Sequence, residues 1–261
     1  MGTFLNSLEL ENINLTYPGL AVLQNMSFQI PPGTTTAILG PSGSGKTSLL
    51  GIIAGTLKPS SGRVLVDGKD CTSSPSGFGV MYQKDYLLEW KTLEENAALG
   101  ILARGVTKKE ALARVALHLE EFELSGFEKY YPHQLSGGMR QRAALLRTYL
   151  ANPEALLLDE PLSAVDALMR RKLQFWLDDV IRRHKTTVVL VTHSLDEALT
   201  LASKVVIIQG RPGTLLDYSE LPFEAVPARE REGHPQWIPV KTRLQVILDK
   251  EPFDRDANLS L

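Results

Sequence analysis

The stretch GPSGSGKTS, Gly40-Pro41-Ser42-Gly43-Ser44-Gly45-Lys46-Thr47-Ser48, stands between a short β-branched run, TTTAIL at 34–39, and SLLGIIAG at 48–55, which suits a helix. Residues 40–47 match GxxxxGK[ST] in a strand, loop, helix setting, the context in which that pattern binds phosphate. Gly43 and Gly45 let successive backbone N–H groups converge on phosphate oxygens, and the helix that follows adds the positive end of its dipole. Lys46 is placed to reach the β- and γ-phosphates of a nucleoside triphosphate, and the Thr47 hydroxyl to meet Mg2+.

Working outward, further short apolar runs occur at ALLL (155–158), TTVVLV (186–191) and KVVIIQ (204–209). They do not alternate and are bounded by polar residues, which predicts buried parallel strands. NINLTYPG, VLQNMSFQI and GRVLVDGKD, with its Asp67-Gly68 turn signal, predict an antiparallel layer on the N-terminal side. A helix is expected from Thr107, with a capping box of Thr107 and Glu110, and another from Asp166. The reading is an α/β nucleotide-binding domain over residues 1–215 with a helical insertion at about 88–150. After Gly213 the chain turns proline- and charge-rich, giving a C-terminal extension, 216–261. It ends in a short helix whose Val240, Leu244, Ile247 and Leu248 share one face. That face is expected to pack on its own domain.

The 261 residues suit one large domain or a domain with a tail. Hydrophobic residues make up 43% and charged ones 22%, a globular composition. With 28 Lys+Arg against 30 Asp+Glu the net charge is −2, so no basic excess recruits nucleic acid and no such partner is expected. The single cysteine, Cys71, can form neither an internal disulfide nor a paired zinc site, which points to a reducing compartment. The N-terminal residues fit neither a signal peptide nor, with Asn6 where Ser or Thr is wanted, a myristoylation pattern. The apolar runs fall far short of the roughly 20 residues a membrane span needs. Any membrane connection is therefore expected to run through a partner.

Two further motifs complete the chemistry. In ALLLDEP (155–161) the buried run delivers Asp159 to a strand end, where it can hold Mg2+, and Glu160 next to it, where it can polarise an attacking water. Ser136-Gly137-Gly138 precedes the amphipathic MRQRAALLRTYLA, so Ser136 reads as an N-cap and the helix start as a second anion site. One nucleotide's phosphates are already wrapped by residues 40–48, which leaves open whose phosphate the second site holds.

LSGGM at 135–139 resembles the LSGGQ signature of the ATP-binding-cassette (ABC) ATPases, and the likeness extends over about residues 8–215 with several motifs in the family's order. The resemblance implies a P-loop NTPase of ABC type, with a mostly parallel sheet core, an antiparallel β layer and a helical subdomain. It implies ATP and Mg2+ as cofactors. Ser136, Gly137 and Gly138 would close on the γ-phosphate held by another copy, so that a homodimer sandwiches two ATP molecules head to tail. By the same resemblance Tyr17 stacks on adenine, and Gln83 senses the γ-phosphate and Mg2+ and relays to a membrane partner. Ser163, Ala164 and Asp166 belong to the loop that crosses between subunits, and His193 contacts the γ-phosphate and orders the water. His118, His133, His184 and His234 match no motif. Met139 departs from the usual glutamine and Leu145-Leu146-Arg147 from a frequent alanine-arginine-alanine run; neither removes a group assigned to the chemistry.

A single cassette without membrane spans resembles an importer ATPase at the cytoplasmic face of the membrane. It would serve separate integral membrane permease subunits and, through them, a solute-binding protein. YPHQLSGGMRQR and GRPGTLL are similar to the nitrate, sulfonate and taurine importer ATPases, and RAALLRTYL to relatives serving thiamine-precursor pyrimidines. The alternative, a DNA-repair or chromosome-organising ABC ATPase, would show a long coiled coil, zinc cysteines or paired cassettes. Leu87-Leu88-Glu89-Trp90, soon after Gln83, is expected either to meet a partner groove or to form a local apolar cluster.

Overall fold

The computed structural model describes residues 7–249, apart from residues 73, 75, 76 and 152. Its main sheet joins β3 (Thr35–Leu39), β6 (Gly79–Met81), β7 (Ala155–Asp159), β8 (Thr187–Thr192), β9 (Lys204–Gln209) and β10 (Thr214–Glu220). The order is β10-β9-β3-β8-β7-β6, parallel throughout except for β10 at one edge. The absence of alternation in these strands has a simple cause: both faces are covered. Leu156 and Leu158 of β7 and Val188 and Leu190 of β8 enter one apolar cluster, while Ala155, Leu157, Val189 and Val191 enter another on the opposite face. A strand with two buried faces needs apolar residues at every position.

The second sheet is antiparallel, β1 (Leu8–Tyr17), β2 (Leu20–Ile30), β4 (Ser61–Val66) and β5 (Lys69–Asp70) in the order β2-β1-β4-β5. Here one face is wet, and Leu8, Leu10, Ile13 and Leu15 are buried against the core with polar residues between them. Asp67 and Gly68 turn β4 into β5 with φ of 51° and 74°, the pair of left-handed residues a tight hairpin demands.

The helical insertion consists of α2 (Leu93–Leu102), α3 (Lys108–Ala116) and α4 (Gly137–Leu150). The expected capping box at α3 is only half made. Thr107 Oγ1 accepts from the Glu110 N–H at 3.3 Å, but the Glu110 carboxylate turns outward to Arg114 at 2.6 Å. A full reciprocal box forms instead at α2, between Thr92 and Glu95. Phe122, Tyr149 and Trp176 lock the insertion to α5 (Ala167–His184), with the Phe122 and Trp176 rings 4.3 Å apart.

α6 (Leu195–Leu201), between β8 and β9, receives the C-terminal helices α7 (Ala228–Arg231) and α8 (Trp237–Leu248). Leu244 is fully buried and Val240, Ile247 and Leu248 pack on the same cluster as Ala198 and Leu199, so the expected apolar face of α8 does lie on its own domain. The sequence boundary at residue 215 falls inside β10, and residues 250–261 of the extension lie outside the described residues. Among the described residues no helix is long and apolar enough to cross a membrane.

What fastens the extension is Arg231, 1% exposed. Its guanidinium donates to the carbonyls of Leu199, Ala202, Glu224 and Val226 at 2.6–3.2 Å, closing the C-terminal end of α6 where helix carbonyls lack partners. Burial lowers its pKa to about 10, which still leaves it charged at neutral pH. Arg231→Met removes the donors and keeps the bulk. Arg182 still donates to the Glu224 and Val226 carbonyls, so the Leu199 and Ala202 carbonyls are the ones left unpaired, and we expect a cost of about 1–3 kcal/mol, read as a lower urea midpoint.

Candidate nucleotide site

The loop 40–48 is shaped by its neighbours. Gly45 caps α1 (Lys46–Ile53) with φ 90°, and a Cβ there would lie 2.6 Å from Leu23 Cδ2, so the position admits only glycine. Gly213, in the late GRPGTLL, presses just as closely: a Cβ would meet the Ser44 carbonyl at 2.1 Å. Lys46 is 7% exposed and arches back over the loop, its Nζ donating to the carbonyls of Gly40 and Pro41 at 2.8 Å each. Burial lowers the pKa of its ammonium, while Glu160 and Asp159 act the other way. Pro41, Ser42 and Gly43 are exposed and Ser48 half-buried in the first turn of α1. Ser44 Oγ is buried with no protein partner, an orphaned hydroxyl inside the loop. An anion in the cradle would give it, and the loop N–H groups, something to bond.

Thr47 Oγ1 donates to Asp159 Oδ2 at 2.8 Å, joining the first motif to the second. Asp159 is 3% exposed, and burial raises its carboxyl above the ordinary range. A hydroxyl and a carboxylate beside a phosphate cradle are the hard oxygen donors Mg2+ selects.

Glu160 follows Asp159 in a left-handed conformation, φ 47°, costly for a residue with a Cβ and commonest where a site dictates the geometry. Its carboxylate is gripped from two sides, by Gln83 Nε2 at 3.2 Å from Oε2 and His193 Nδ1 at 3.1 Å from Oε1. Gln141, which sequence reasoning missed, braces the backbone. This side chain, 3% exposed, donates to the Glu160 carbonyl at 3.1 Å and accepts from the Ala164 N–H at 2.9 Å. One residue of α4 thus ties the glutamate to the loop 163–166.

Ser136 caps α4 by accepting from the Met139 N–H at 3.3 Å, and Asp166 caps α5 by accepting from the Met169 N–H at 3.0 Å. Ser136, Gly137, Ser163, Ala164 and Asp166 are all exposed. Among the described residues no hydrogen bond links Ser136, Gly137 or Gly138 to residues 40–48, whereas Lys46, Thr47, Gln83, Asp159, Glu160 and His193 form one connected group. Tyr17 is 45% exposed at the tip of the β1–β2 hairpin, the hairpin that packs on Gly45. Arg211 was also missed: a Cβ built on Gly43 would lie 2.7 Å from its guanidinium, which places a cation beside the phosphate loop. The segment 82–90 is pinned by α4, where Arg147 donates to the carbonyls of Asp85 and Tyr86 at 2.8 Å and Arg140 pairs with Asp85 at 3.1 Å. Arg147 was visible in the sequence only as a departure from a frequent alanine-arginine-alanine run.

Fold and site together define a nucleoside triphosphate-binding protein of the P-loop class. The profile of the ABC transporter family matches residues 23–163. The taurine import ATP-binding protein TauB of Pseudomonas fluorescens is 41% identical over 218 residues, covering 83% of each chain. The ABC transporter ATP-binding protein YtlC of Bacillus subtilis is 39% identical over 224 residues, covering 84% of this chain and 86% of that one. Among solved structures, the dimeric bacterial ABC transporter cassette MJ0796 superposes with a TM-score of 0.76 at 28% identity, over 82% of this chain and 98% of its own. The same cassette in a dimeric post-hydrolysis state, bound to ADP and phosphate, gives 0.75. This chain belongs to the ABC transporter family and is one of its ATP-binding cassettes.

Proposed function

We propose that this cassette hydrolyses ATP to drive import through separate permease subunits, and that Glu160 is the general base. The observation that carries the chemistry is the grip of Gln83 and His193 on the Glu160 carboxylate, next to the Thr47–Asp159 pair. Glu160 takes a proton from the attacking water, and His193 holds the carboxylate in line and faces the γ-phosphate. Lys46 leaves its two loop carbonyls for the β- and γ-phosphate oxygens. Thr47, Asp159 and the Gln83 amide oxygen would hold Mg2+, which when bound neutralises charge on the phosphates. Tyr17 supplies a face for the adenine. Assigning these roles is supported by the geometry and by kinship with a cassette solved with ADP and phosphate.

The signature residues serve a second copy. Ser136 and Gly137 lie open at the start of α4, Asp166 lies open beside them, and the relative MJ0796 is a dimer. Two chains head to tail would place each signature on the other's phosphates, our reading of whose phosphate it holds.

Importer function and the taurine-type substrate class are supported by the relatives named for taurine import, at 38–41% identity. A solute-binding protein and a place at the cytoplasmic face of the membrane follow from that reading. The segment 82–90 divides the earlier expectation in two: Leu87 is buried in the insertion's core, while Tyr86 and Trp90 stand 58% and 73% exposed. Those rings suit a permease contact. Trp90→Ala is expected to cut transport in reconstituted vesicles several-fold and leave basal hydrolysis by the isolated cassette within about twofold, as for a contact residue outside the reaction. Equal loss of both, with a lowered Tm, would return Trp90 to the local cluster.

A further inference from the structure

His193 is 63% exposed at its side chain, so little packing holds the ring; its aim at Glu160 depends on the backbone beneath it. That backbone sits in a closed loop of hydrogen bonds that the chemistry above does not use. Thr192 Oγ1 donates to Glu197 Oε2 at 2.5 Å and accepts from the Ser194 N–H at 3.0 Å, and Ser194 Oγ accepts from the Glu197 N–H at 3.2 Å. Two of these bonds span His193, and the third fixes the first turn of α6.

The helix cap needs only the backbone of Glu197, so it does not explain the carboxylate. That side chain is 6% exposed, and burial pushes its carboxyl up; Arg170 and His193 favour the ionised form and Glu160 disfavours it. Oε2 is used by Thr192, but Oε1 is buried with no protein partner. A buried oxygen left unpaired carries a cost of about 1–3 kcal/mol unless something meets it. Glu197 also lines a cavity of about 60 Å³, together with Glu160, Ser163, Arg170 and His193.

We propose that Glu197 is a positioning residue for His193: Oε2 clamps Thr192 and so sets the backbone that aims the imidazole. The proposal rests on the reading of His193 and Glu160 given above. Thr192, Ser194 and Glu197 are not among the groups assigned to the phosphates, so the clamp is expected to act on turnover more than on ATP affinity.

The test compares the full chain as Glu197→Ala, Glu197→Gln, Thr192→Val, the Glu197→Ala/Thr192→Val double variant and His193→Ala. It reads kcat and KM for ATP, Tm, and the 1H–15N spectrum of the histidine rings. Glu197→Ala and Thr192→Val are each expected to lower kcat about tenfold or more, as misplacement of a catalytic group does, with KM within about twofold. The double variant should lose no more than either single one, because they break one unit. Glu197→Gln should keep much of the rate, since its amide oxygen still accepts from Thr192. The His193 ring signals should move in Glu197→Ala while those of the other histidines hold. Full turnover in Glu197→Ala with loss in His193→Ala overturns this proposal alone. So do unchanged His193 signals, or a loss seen only as a raised KM and a lowered Tm. Full turnover in His193→Ala overturns the underlying reading of the pair.

Discussion

Glu160→Gln is expected to bind ATP as the unaltered protein does and to turn it over about 10²–10⁴ times more slowly, the worth of a positioned general base. That range corresponds to about 2.7–5.5 kcal/mol of transition-state stabilisation. The substitution conserves shape, and the backbone bond from the Glu160 N–H to Val191 O, 2.9 Å, is untouched, so the strained turn should survive. Binding should survive too, because the substitution leaves untouched Lys46, Thr47 and the loop backbone, the groups proposed above to hold the β- and γ-phosphates. Nucleotide binding and single-turnover hydrolysis, measured side by side, separate the two effects. Near-normal single-turnover rates would move the base to another residue.

The parts of this molecule that were legible in the sequence are those that a single local pattern dictates. TTTAIL, ALLL, TTVVLV and KVVIIQ read as buried strands because both sheet faces are covered, and β3, β7, β8 and β9 lie where those runs do. The loop 40–48 was legible because Gly43 and Gly45 hold positive φ that a glycine pattern announces, and its lysine answers to its own carbonyls. Residues that act across the fold were not. Gln141 reads as one polar residue in a helix, and nothing local says that it will bridge Glu160 and Ala164. Arg231 reads as one charge in AREREG, yet it is buried on carbonyls from four separate residues. Glu197 reads as the polar face of a short helix. The box expected at Thr107 was half right because Glu110 had an alternative partner one turn on, and the isolated motif cannot rank the two.

The claim on which the rest depends is that Ser136 serves a nucleotide held by another copy. It is tested by mixing two disabled proteins. In a Ser136→Arg homodimer both sites lack a usable signature; in a Lys46→Ala homodimer both lack a usable phosphate loop. Each alone is expected to be nearly inactive, with its fold confirmed by thermal melting, since Lys46 also bonds two loop carbonyls. A mixed dimer pairs the intact loop of one chain with the intact signature of the other, rebuilding one site and gathering both lesions in the second. With random exchange about half the dimers are mixed and each has one of two sites, so hydrolysis should recover to at most roughly a quarter of normal. ATP-dependent dimerisation, followed in the same mixture, covers the case in which both sites must fire together. Recovery of hydrolysis or of ATP-dependent dimers on mixing is the predicted result; two folded proteins that regain neither would contradict it.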